Sequence, residues 1–555
     1  MRLQKAVAVM GAGVLLFAVS DAVTYAATGS SLVLGKINQA NATTTIQNTG
    51  ATPALRLLTK STATAPMIVN GKGKVVNLYA DRAATADNAT KLGGLTVAQI
   101  KTAAKGAAGA PGTPGVKGDP GNPGVKGDPG DPGPRPVSVI WVAPSGGDYV
   151  TVSAALTAIG TTLPASDATH PYLIKVAPGT YIESGSVVLK DRVDIEGSGQ
   201  DVTTITCACG SNESPFTAGS SAVMQVTGPG VHVSIRGLTI ANAGSSLTFS
   251  TGVVTRTAAT GDVTLDALTI TATDGTFSYG IANASSSPTM TNVTATATGG
   301  NFSLGIENAS SSSPTMTNVT ATATGGTNSN YGIYDSVSSP TLTNVTGTAT
   351  GGTNTYGIYN YGSSPTMTMT MTNVTATATG GTNNYGIYND GSSSPTMTNV
   401  TATATGGTNT YGVVNVLSTS TMTGGRAIGS GGSGINTGIL NISGAPKFDT
   451  VTATGTGGTQ GRGFLNQGVA TVTLVNVTVT GSGGNTNQDW GIDNLGSSLL
   501  TVRDSIITGT PNSIHNTAGG AGVAFTALST PAVGAMTCFG AFYSTNFLPL
   551  NASCQ

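Results

Sequence analysis

The stretch that decides the fold is Pro-Thr-Met-Thr-Asn-Val-Thr-Ala-Thr-Ala-Thr-Gly-Gly, which occupies residues 288–300 and returns unchanged at 314–326 and 395–407. Within its first copy, Val293, Ala295 and Ala297 alternate with threonines. This period of two is typical of a β-strand with one buried face. So much threonine and glycine also disfavours a helix. The repeated stretch therefore predicts a short β-strand that recurs along the chain.

A second motif, Gly-Ile/Val-x-Asn/Asp, lies between the copies of the first. Its glycines are spaced by 25 to 29 residues, and the last three copies are degraded: Gly280, Gly305, Gly332, Gly357, Gly386, Gly412, Gly438, Gly463 and Gly491. Two or three short strands in such a unit, repeated many times, form one coil each of a parallel β-helix. The alternative is an array of β-sandwiches, but a sandwich repeat needs roughly 90–100 residues. We therefore predict an all-β fold, a right-handed parallel β-helix over residues 137–520.

Stacked coils would place equivalent residues of the repeat above one another. We expect the isoleucines after the glycines to form an aliphatic ladder inside: Ile281, Ile306, Ile333, Ile358 and Ile387. We expect the asparagines of the first motif to form an amide ladder at a corner, each bonded to its neighbour one coil away: Asn292, Asn318, Asn344, Asn373 and Asn399.

Tyrosines follow the isoleucines in three successive coils, at Tyr334, Tyr359 and Tyr388. Alternation turns these side chains outward if the isoleucines point inward. Such an aromatic stripe can stack on sugar rings, or it can stabilise the contact between coils. We predict these three as candidate carbohydrate contacts. The tyrosines that precede the glycines are predicted to be packing residues: Tyr331, Tyr356, Tyr385 and Tyr411.

The first part of the predicted β-helix carries a family likeness. It lies in the segments 141–149, 174–183, 193–199 and 231–242, of which the first reads Trp-Val-Ala-Pro-Ser-Gly-Gly-Asp-Tyr. Over residues 140–245 the chain resembles the pectinesterase and pectin-lyase-like superfamily. The resemblance implies a right-handed parallel β-helix. It does not imply catalysis, because the pectinesterase motifs that supply paired aspartates and an arginine are not found after residue 240.

The N-terminus has the pattern of a signal peptide over residues 1–26. Arg2 and Lys5 precede an apolar run at 6–19, and small residues follow up to Ala26. An uncleaved anchor is the alternative, but this run is shorter than the roughly 20 residues that cross a bilayer. We therefore predict a secreted or cell-surface protein without a membrane span after cleavage. Residues 27–105 are predicted to be a stalk or attachment segment of low order.

Glycine then occupies every third position from Gly106 to Gly133, which gives ten consecutive Gly-X-Y triplets over residues 106–135. Only glycine fits at the axis of three wound polyproline-type chains, so this period predicts a collagen-like triple helix. The alternative is a flexible Pro/Gly linker. If the triple helix forms, the protein is a homotrimer.

The four cysteines of an exported chain are free to form disulfides. Cys538 and Cys554 are expected to pair inside a C-terminal cap, residues 521–555. Cys207 and Cys209 leave three possibilities open, since they can pair, stay reduced or bind a metal ion. No histidine or cysteine cluster nearby completes a zinc set, so we expect neither a metal site nor a cofactor.

Charged residues make up only 8% of the chain and the formal net charge is −1. This argues against a nucleic-acid partner, which requires a basic face. The densest acid group near the middle, Asp262, Asp266 and Asp274, gives weak catalytic candidates, and Asp191, Asp194 and Glu196 form another group. The three histidines, His170, His232 and His515, are isolated in sequence and predicted to be structural.

Two functions follow from this pattern. The first is a non-catalytic structural or adhesion-type surface protein, whose hydroxyl- and amide-rich faces contact glycans, cells or matrix. The second is a carbohydrate-active enzyme of the pectin-lyase-like superfamily, a lyase, hydrolase or esterase. The second rests on the fold resemblance alone, and a fold does not by itself imply a function.

Overall fold

The structure, a computed structural model, describes residues 138–244, 247–256, 262–362, 369–486, 488–517 and 519–555. All of them belong to one compact unit, Gly127–Gln555. The predicted signal peptide, the segment 27–105 and the Gly-X-Y run lie outside the described residues. Within these ranges the chain forms forty strands, β1 to β40, and one short helix, α1.

The first coils contain α1 (Val152–Ala158) and the strands β1 (Ser138–Val142), β2 (Tyr172–Val176), β3 (Gly179–Ile182), β4 (Val187–Val188), β5 (Val193–Gly197), β6 (Thr203–Cys207), β7 (Gly210–Ser211), β8 (Met224–Thr227) and β9 (Val233–Asn242). The repeats follow as β10 (Phe249–Arg256), β11 (Val263–Thr273), β12 (Phe277–Ala284), β13 (Thr289–Thr298), β14 (Phe302–Ala309), β15 (Thr315–Thr317), β16 (Thr320–Thr324), β17 (Ser329–Ser336), β18 (Thr341–Thr343), β19 (Thr346–Thr350), β20 (Asn354–Tyr361), β21 (Thr370–Thr372), β22 (Thr375–Thr379), β23 (Asn383–Asp390), β24 (Thr396–Thr405) and β25 (Asn409–Val416). The last coils contain β26 (Thr421–Ser430), β27 (Ile435–Ile442), β28 (Lys447–Asp449), β29 (Thr452–Thr456), β30 (Gln460–Gln467), β31 (Thr471–Val475), β32 (Thr478–Ser482), β33 (Ile492–Asn494), β34 (Leu499–Arg503), β35 (Ile506–Thr508), β36 (Ile514–Asn516), β37 (Ala521–Ala524), β38 (Ala527–Leu528), β39 (Met536–Phe539) and β40 (Phe542–Tyr543).

The strands form a 26-stranded and a 14-stranded sheet. Each strand pairs with its equivalent in the next coil, as β12 does with β14 and β14 with β17, and both of these pairings are parallel. The repeats of the sequence are therefore successive coils, which confirms the predicted parallel β-helix.

One coil shows why the repeat folds this way. Strand β15 ends at a corner, β16 follows, a Gly-Gly turn comes next, and β17 completes the coil in the 14-stranded sheet. Asn318 makes the corner with φ +55°, a left-handed conformation that asparagine tolerates better than most residues. Its Nδ2 donates to Oδ1 of Asn292 at 3.2 Å, and Asn344 donates to Asn318 at 3.2 Å. The predicted amide ladder at a corner is thus present.

The core is thin and built from the predicted faces of both motifs. Ile333, Ile358 and Ile387 are fully buried, and their strands place them in register one above another. Val293 and Ala295 are buried on the opposite sheet, while Thr294 is exposed and Thr296 is partly exposed. Full burial of an isoleucine is worth about 1.5–3 kcal/mol, so the ladder stabilises the coils although each coil contributes few large side chains.

A second amide ladder, not predicted from the sequence, is buried at the end of the Gly-Ile-x-Asn motif. Asn283 donates to Asn308 at 2.8 Å, and Asn308 donates to Asp335 at 2.6 Å. The ladder resumes where Asn360 donates to Asn389 at 2.6 Å. These bonds satisfy side chains that would be costly to bury alone.

The helix α1 lies in the first coils and is capped at its N-terminus. Thr151 caps it by accepting a bond from the Ala154 backbone N–H.

Among the described residues no helix is long and apolar enough to cross a membrane. In the structure Cys538 is bonded to Cys554, and Cys207 to Cys209.

Candidate functional site

The outer face of the 14-stranded sheet carries two adjacent columns of tyrosines. The column before the motif glycine consists of Tyr331, Tyr356, Tyr385 and Tyr411, and the column after the isoleucine consists of Tyr334, Tyr359 and Tyr388. We call these seven residues the tyrosine face. All seven are partly exposed, whereas the isoleucines between the columns are buried on the other side of the sheet.

The rings of the first column lie almost parallel. Tyr331 and Tyr356 have ring centroids 4.9 Å apart with a 3° angle between the planes, and Tyr356 and Tyr385 are 4.8 Å apart at 11°. In the second column Tyr334 and Tyr359 stack at 5.2 Å and 16°, but Tyr388 is tilted by 54° from Tyr359. The tyrosines before the glycines therefore do pack, as predicted, but on the same outer face as the other column.

This stacking limits what a ligand can contact. Neighbouring rings in a column cover one another's faces, so the ring edges and the hydroxyl groups remain for a ligand. Burial raises the pKa of Tyr385 to about 12 and, together with the nearby Glu307 carboxylate, raises that of Tyr334 to about 12. The phenols therefore stay protonated at neutral pH and can both donate and accept hydrogen bonds. The Tyr359 hydroxyl already donates one hydrogen bond within the protein, to Oδ2 of Asp390 at 3.2 Å.

A buried acid lies at the N-terminal end of the tyrosine face. Glu307 occupies the same column as Tyr334, one coil earlier. Burial, with a smaller contribution from Asp335, raises the pKa of Glu307 to about 8. Its carboxyl group is thus largely protonated at neutral pH, and it adds a donor rather than a negative charge to this end of the face.

A polar cluster continues the same two columns at the C-terminal end. Arg462 is two coils beyond Tyr411 in the first column, and Asp493 and His515 continue the second. Asp493 is fully buried, with Oδ1 2.8 Å from His515 Nδ1 and Oδ2 3.3 Å from Arg462 Nε. Trp490 stacks on His515 with centroids 4.1 Å apart, and the Arg462 guanidinium lies 5.3 Å from the Trp490 ring. We call these four residues the Arg462 cluster.

A third polar group lies on the first coils. An open depression of about 300 Å³ is lined by Asp194, His232, Asp262 and Arg192, among others. Burial raises the pKa of Asp194, and its carboxylate accepts a bond from the Ser234 N–H at 2.7 Å. The coil geometry thus brings together members of the two acid groups that the sequence keeps apart.

The predicted acid trio is not assembled as one site. Asp262 precedes the first residue of β11, Asp266 lies within that strand and Asp274 follows its last residue. A strand rises about 3.3 Å per residue, so the first and last of them are at opposite ends of β11. Asp266 instead lies opposite Arg236 of the neighbouring strand. Among the described residues no group of three or more His, Cys, Asp or Glu is arranged to hold a metal ion.

The Arg462 cluster was not predicted from the sequence, because His515 is isolated there from other catalytic or metal-binding residue types. The signal was present in the repeat register: Asp493 stands in Gly491-Ile492-Asp493-Asn494, and His515 stands in the next copy, Ile-His-Asn. Both occupy the position after the isoleucine, which is the column of Tyr334. In this coil Ser513 replaces the motif glycine, so the Gly-Ile pattern does not extend to it.

Comparison with known proteins returns structures but no relatives by sequence. No protein-family model matches the chain, and no curated protein matches it. Among solved structures it is similar to the catalytic domain of a GH87 alpha-1,3-glucanase mutant in complex with tetrasaccharides, at 15% identity and a TM-score of 0.36, over 75% of this chain and 70% of that one.

Two further structures are similar over much of their length. One is the A-module of a mannuronan C-5 epimerase from Azotobacter vinelandii, at 13% identity and a TM-score of 0.33, over 71% of this chain and 94% of that one. The other is a pectin methylesterase mutant in complex with a hexasaccharide, at 12% identity and a TM-score of 0.27, over 52% of this chain and 90% of that one. These scores are too low to transfer a site or a reaction. The chain's own strand pairing gives it the parallel β-helix fold that its resemblance to pectin-lyase-like proteins implied.

Proposed function

We propose that the chain is an exported glycan-binding protein of the cell surface or the extracellular medium, and that the tyrosine face is its binding surface. The observation that carries the proposal is the arrangement of seven tyrosines in two columns on four successive strands. A tyrosine offers an apolar ring edge together with a hydroxyl group, which suits the mixed polar and apolar surface of a sugar.

The rigidity of the stacked tyrosine rings also supports a role in glycan binding. Rings stacked at 4.8 to 5.4 Å in the first column hold one another in place before any ligand arrives. Binding then costs little side-chain entropy, and the affinity from each weak contact is retained. A flat sheet surface of this kind fits an extended chain or a polysaccharide surface better than a small molecule, which needs a deep cavity.

The test distinguishes the contribution of the hydroxyl groups to binding from that of the stacked rings. Tyr385, Tyr388 and Tyr411 are each replaced by phenylalanine in the full chain, singly and together, and binding to cellulose, chitin, xylan and peptidoglycan is measured by depletion and calorimetry. Each lost hydrogen bond is worth about 0.5–1.5 kcal/mol, which corresponds to roughly a 2- to 10-fold loss of affinity. The triple variant should lose at least tenfold while its unfolding temperature changes little.

Tyr543→Phe is the matched control, because Tyr543 is partly exposed on β40, outside the 14-stranded sheet. Its affinity should equal that of the unmodified chain. Binding to a polysaccharide that is unaffected by the triple variant would show that the tyrosine face is not the binding surface.

The enzyme alternative is favoured by one observation, the depression that holds Asp194 beside Asp262 and His232. A carboxyl group whose pKa is raised by burial is a suitable proton donor. Mass spectrometry of the same polysaccharide incubations decides between the two. New oligosaccharides, methanol or acetate would favour an enzyme, whereas binding without products favours the glycan-binding role.

A further inference from the structure

The Arg462 cluster contains polar atoms that the protein leaves without partners. The Arg462 side chain is 10% exposed and that of Asp493 is fully buried. Arg462 Nε and Asp493 Oδ2 are 3.3 Å apart but are not aligned for a hydrogen bond, and both are buried without a partner. In the part of the chain that the structure describes, no group accepts a hydrogen bond from the Nη atoms of Arg462.

Leaving a buried guanidinium incompletely bonded costs about 1–3 kcal/mol or more. A purely structural arginine would gain by pairing fully with its carboxylate. Here Oδ1 of Asp493 faces His515 and Oδ2 faces Nε, so the carboxylate holds the guanidinium from one side. The Nη pair is left as a fork of parallel N–H donors, which is the geometry that binds a planar anion through two bonds.

The surroundings of this fork suit a sugar. Trp490 lies against both the guanidinium and the His515 ring, and it forms an aromatic wall. In the first column Arg462 follows Tyr411 with Thr437 between them, so the cluster continues the columns of the tyrosine face. Between them the columns carry Val414, Leu440 and Leu465, which are buried and pack with the partly buried Tyr388 and Tyr411 in one apolar cluster.

We propose that the Arg462 cluster is an anion subsite, which binds a carboxylate or sulfate substituent of a glycan chain lying along the tyrosine face. Arg462 contacts the anion through Nη1 and Nη2, Trp490 packs against the sugar ring, and Asp493 is a positioning residue. The inference rests on the proposed glycan-binding function and adds to it the class of ligand, an acidic rather than a neutral glycan.

Tryptophan fluorescence provides a local readout. The chain has two tryptophans, and the other, Trp141, is 51% exposed on β1. Trp141→Phe therefore leaves Trp490 as the only tryptophan, next to Arg462. Hexagalacturonate, a sulfated carrageenan hexasaccharide and neutral cellohexaose are titrated into this variant of the full chain. The charged probes should bind at least tenfold more tightly than cellohexaose. A carboxylate preference over sulfate would identify a uronate-type ligand, and the reverse a sulfated one.

Arg462→Gln is then introduced into the same background, with Arg462→Lys and Arg503→Gln for comparison. The glutamine variant should lose the preference for charged probes while its affinity for cellohexaose is unchanged. Lysine retains the charge without the fork, so it should keep only part of the preference. Arg503 is exposed on β34 of the other sheet, so its replacement should change nothing. Equal binding of the three probes, or a preference that survives Arg462→Gln, would overturn the proposal.

A second measurement does not depend on the tyrosine face or on the folding of the Arg462 variants. Sodium acetate and sodium sulfate are titrated into the Trp141→Phe chain, with sodium chloride at matched ionic strength. A saturable Trp490 response to acetate or sulfate supports the anion subsite even if cellohexaose fails to bind. No response to any of these anions contradicts it, whereas the proposed glycan binding would then still be judged by the phenylalanine variants.

Discussion

At the scale of single residues, one break in the buried amide ladder is at a carboxylic acid, Asp335. Asp335 Oδ1 accepts from Asn308, while Asp335 Oδ2 and Asn360 Oδ1 are both buried without a partner. The two residues are in register on adjacent strands. An ionised Asp335 would therefore place two acceptors against each other, and burial raises the pKa of Asp335 to about 7. The protonated acid supplies the donor that the ladder needs.

This gives a pH prediction with a definite sign. The ordinary pKa of an aspartate is near 3.8, and the folded value is higher. The stabilisation that the protonated Asp335 contributes to the folded chain is therefore complete below about pH 4, and it is lost as the pH rises through about 7. Asp335→Asn supplies a permanent donor, so it should raise the free energy of unfolding at pH 8 by about 1–3 kcal/mol. At pH 4 the same substitution should change the free energy of unfolding little. Urea unfolding followed by circular dichroism at both pH values measures this difference.

Asp504→Asn is the control for this experiment. Asp504 is exposed at a corner with φ +54°, where asparagine is equally suited, so no pH-dependent gain is expected. A gain for Asp335→Asn that is the same at pH 4 and pH 8 would contradict protonation of Asp335 in the folded chain.

At the scale of the strand, the glycine of the Gly-Ile motif is required by close packing. A Cβ on Gly357 would lie 2.6 Å from the Gly386 carbonyl oxygen and 2.6 Å from the Thr377 N. Thr377 belongs to β22 of the other sheet, so the two backbones nearly touch at this point. The same contact recurs at Gly332, where a Cβ would lie 2.6 Å from the Thr348 N. The motif glycines therefore set the thickness of the coil.

Replacing such a glycine should force the two sheets apart. Overpacking of a core costs about 1–3 kcal/mol, and Gly357→Ala is expected to destabilise by at least that amount in urea unfolding. Gly522→Ala is the matched control in strand β37, because a Cβ there meets nothing within 4 Å. Equal effects of the two substitutions would show that the close approach is not what selects glycine.

At the scale of the whole molecule, the ten Gly-X-Y triplets add a proposal about assembly. They lie outside the described residues, and the homotrimer they predict stays a prediction. Three chains joined at this run would present three tyrosine faces. Binding at several linked sites to one polysaccharide surface raises the apparent affinity by 10²–10⁴ without any new contact.

Deletion of residues 106–135 tests this assembly directly. The full chain should sediment as a trimer, and the deleted chain as a monomer. The monomer should bind an insoluble polysaccharide at least 100-fold more weakly, while its affinity for a short soluble oligosaccharide stays the same. A full chain that sediments as a monomer would favour the flexible linker instead.

The sequence by itself determined the coil, the isoleucine ladder and the amide ladder at the corner. The repeats have a spacing of 25 to 29 residues, alternation along Val293 and Ala295, and a corner asparagine in five successive coils. All of these features act through neighbours that are close in sequence or one repeat away. Periodicity therefore predicted the parallel β-helix, the isoleucine ladder and the bond from Asn318 to Asn292. The sequence alone did not show how side chains share a face once the coils stack.

Only the tertiary structure decided which side chains meet across coils. It placed both tyrosine columns on one surface, separated Asp262 from Asp274, and joined Arg462 to Asp493 although they are 31 positions apart. The reason is physical: coil stacking brings distant residues within about 5 Å, and loops of unequal length shift which residues coincide. Burial, which raises the pKa of Glu307 and Asp335, likewise depends on neighbours from other coils.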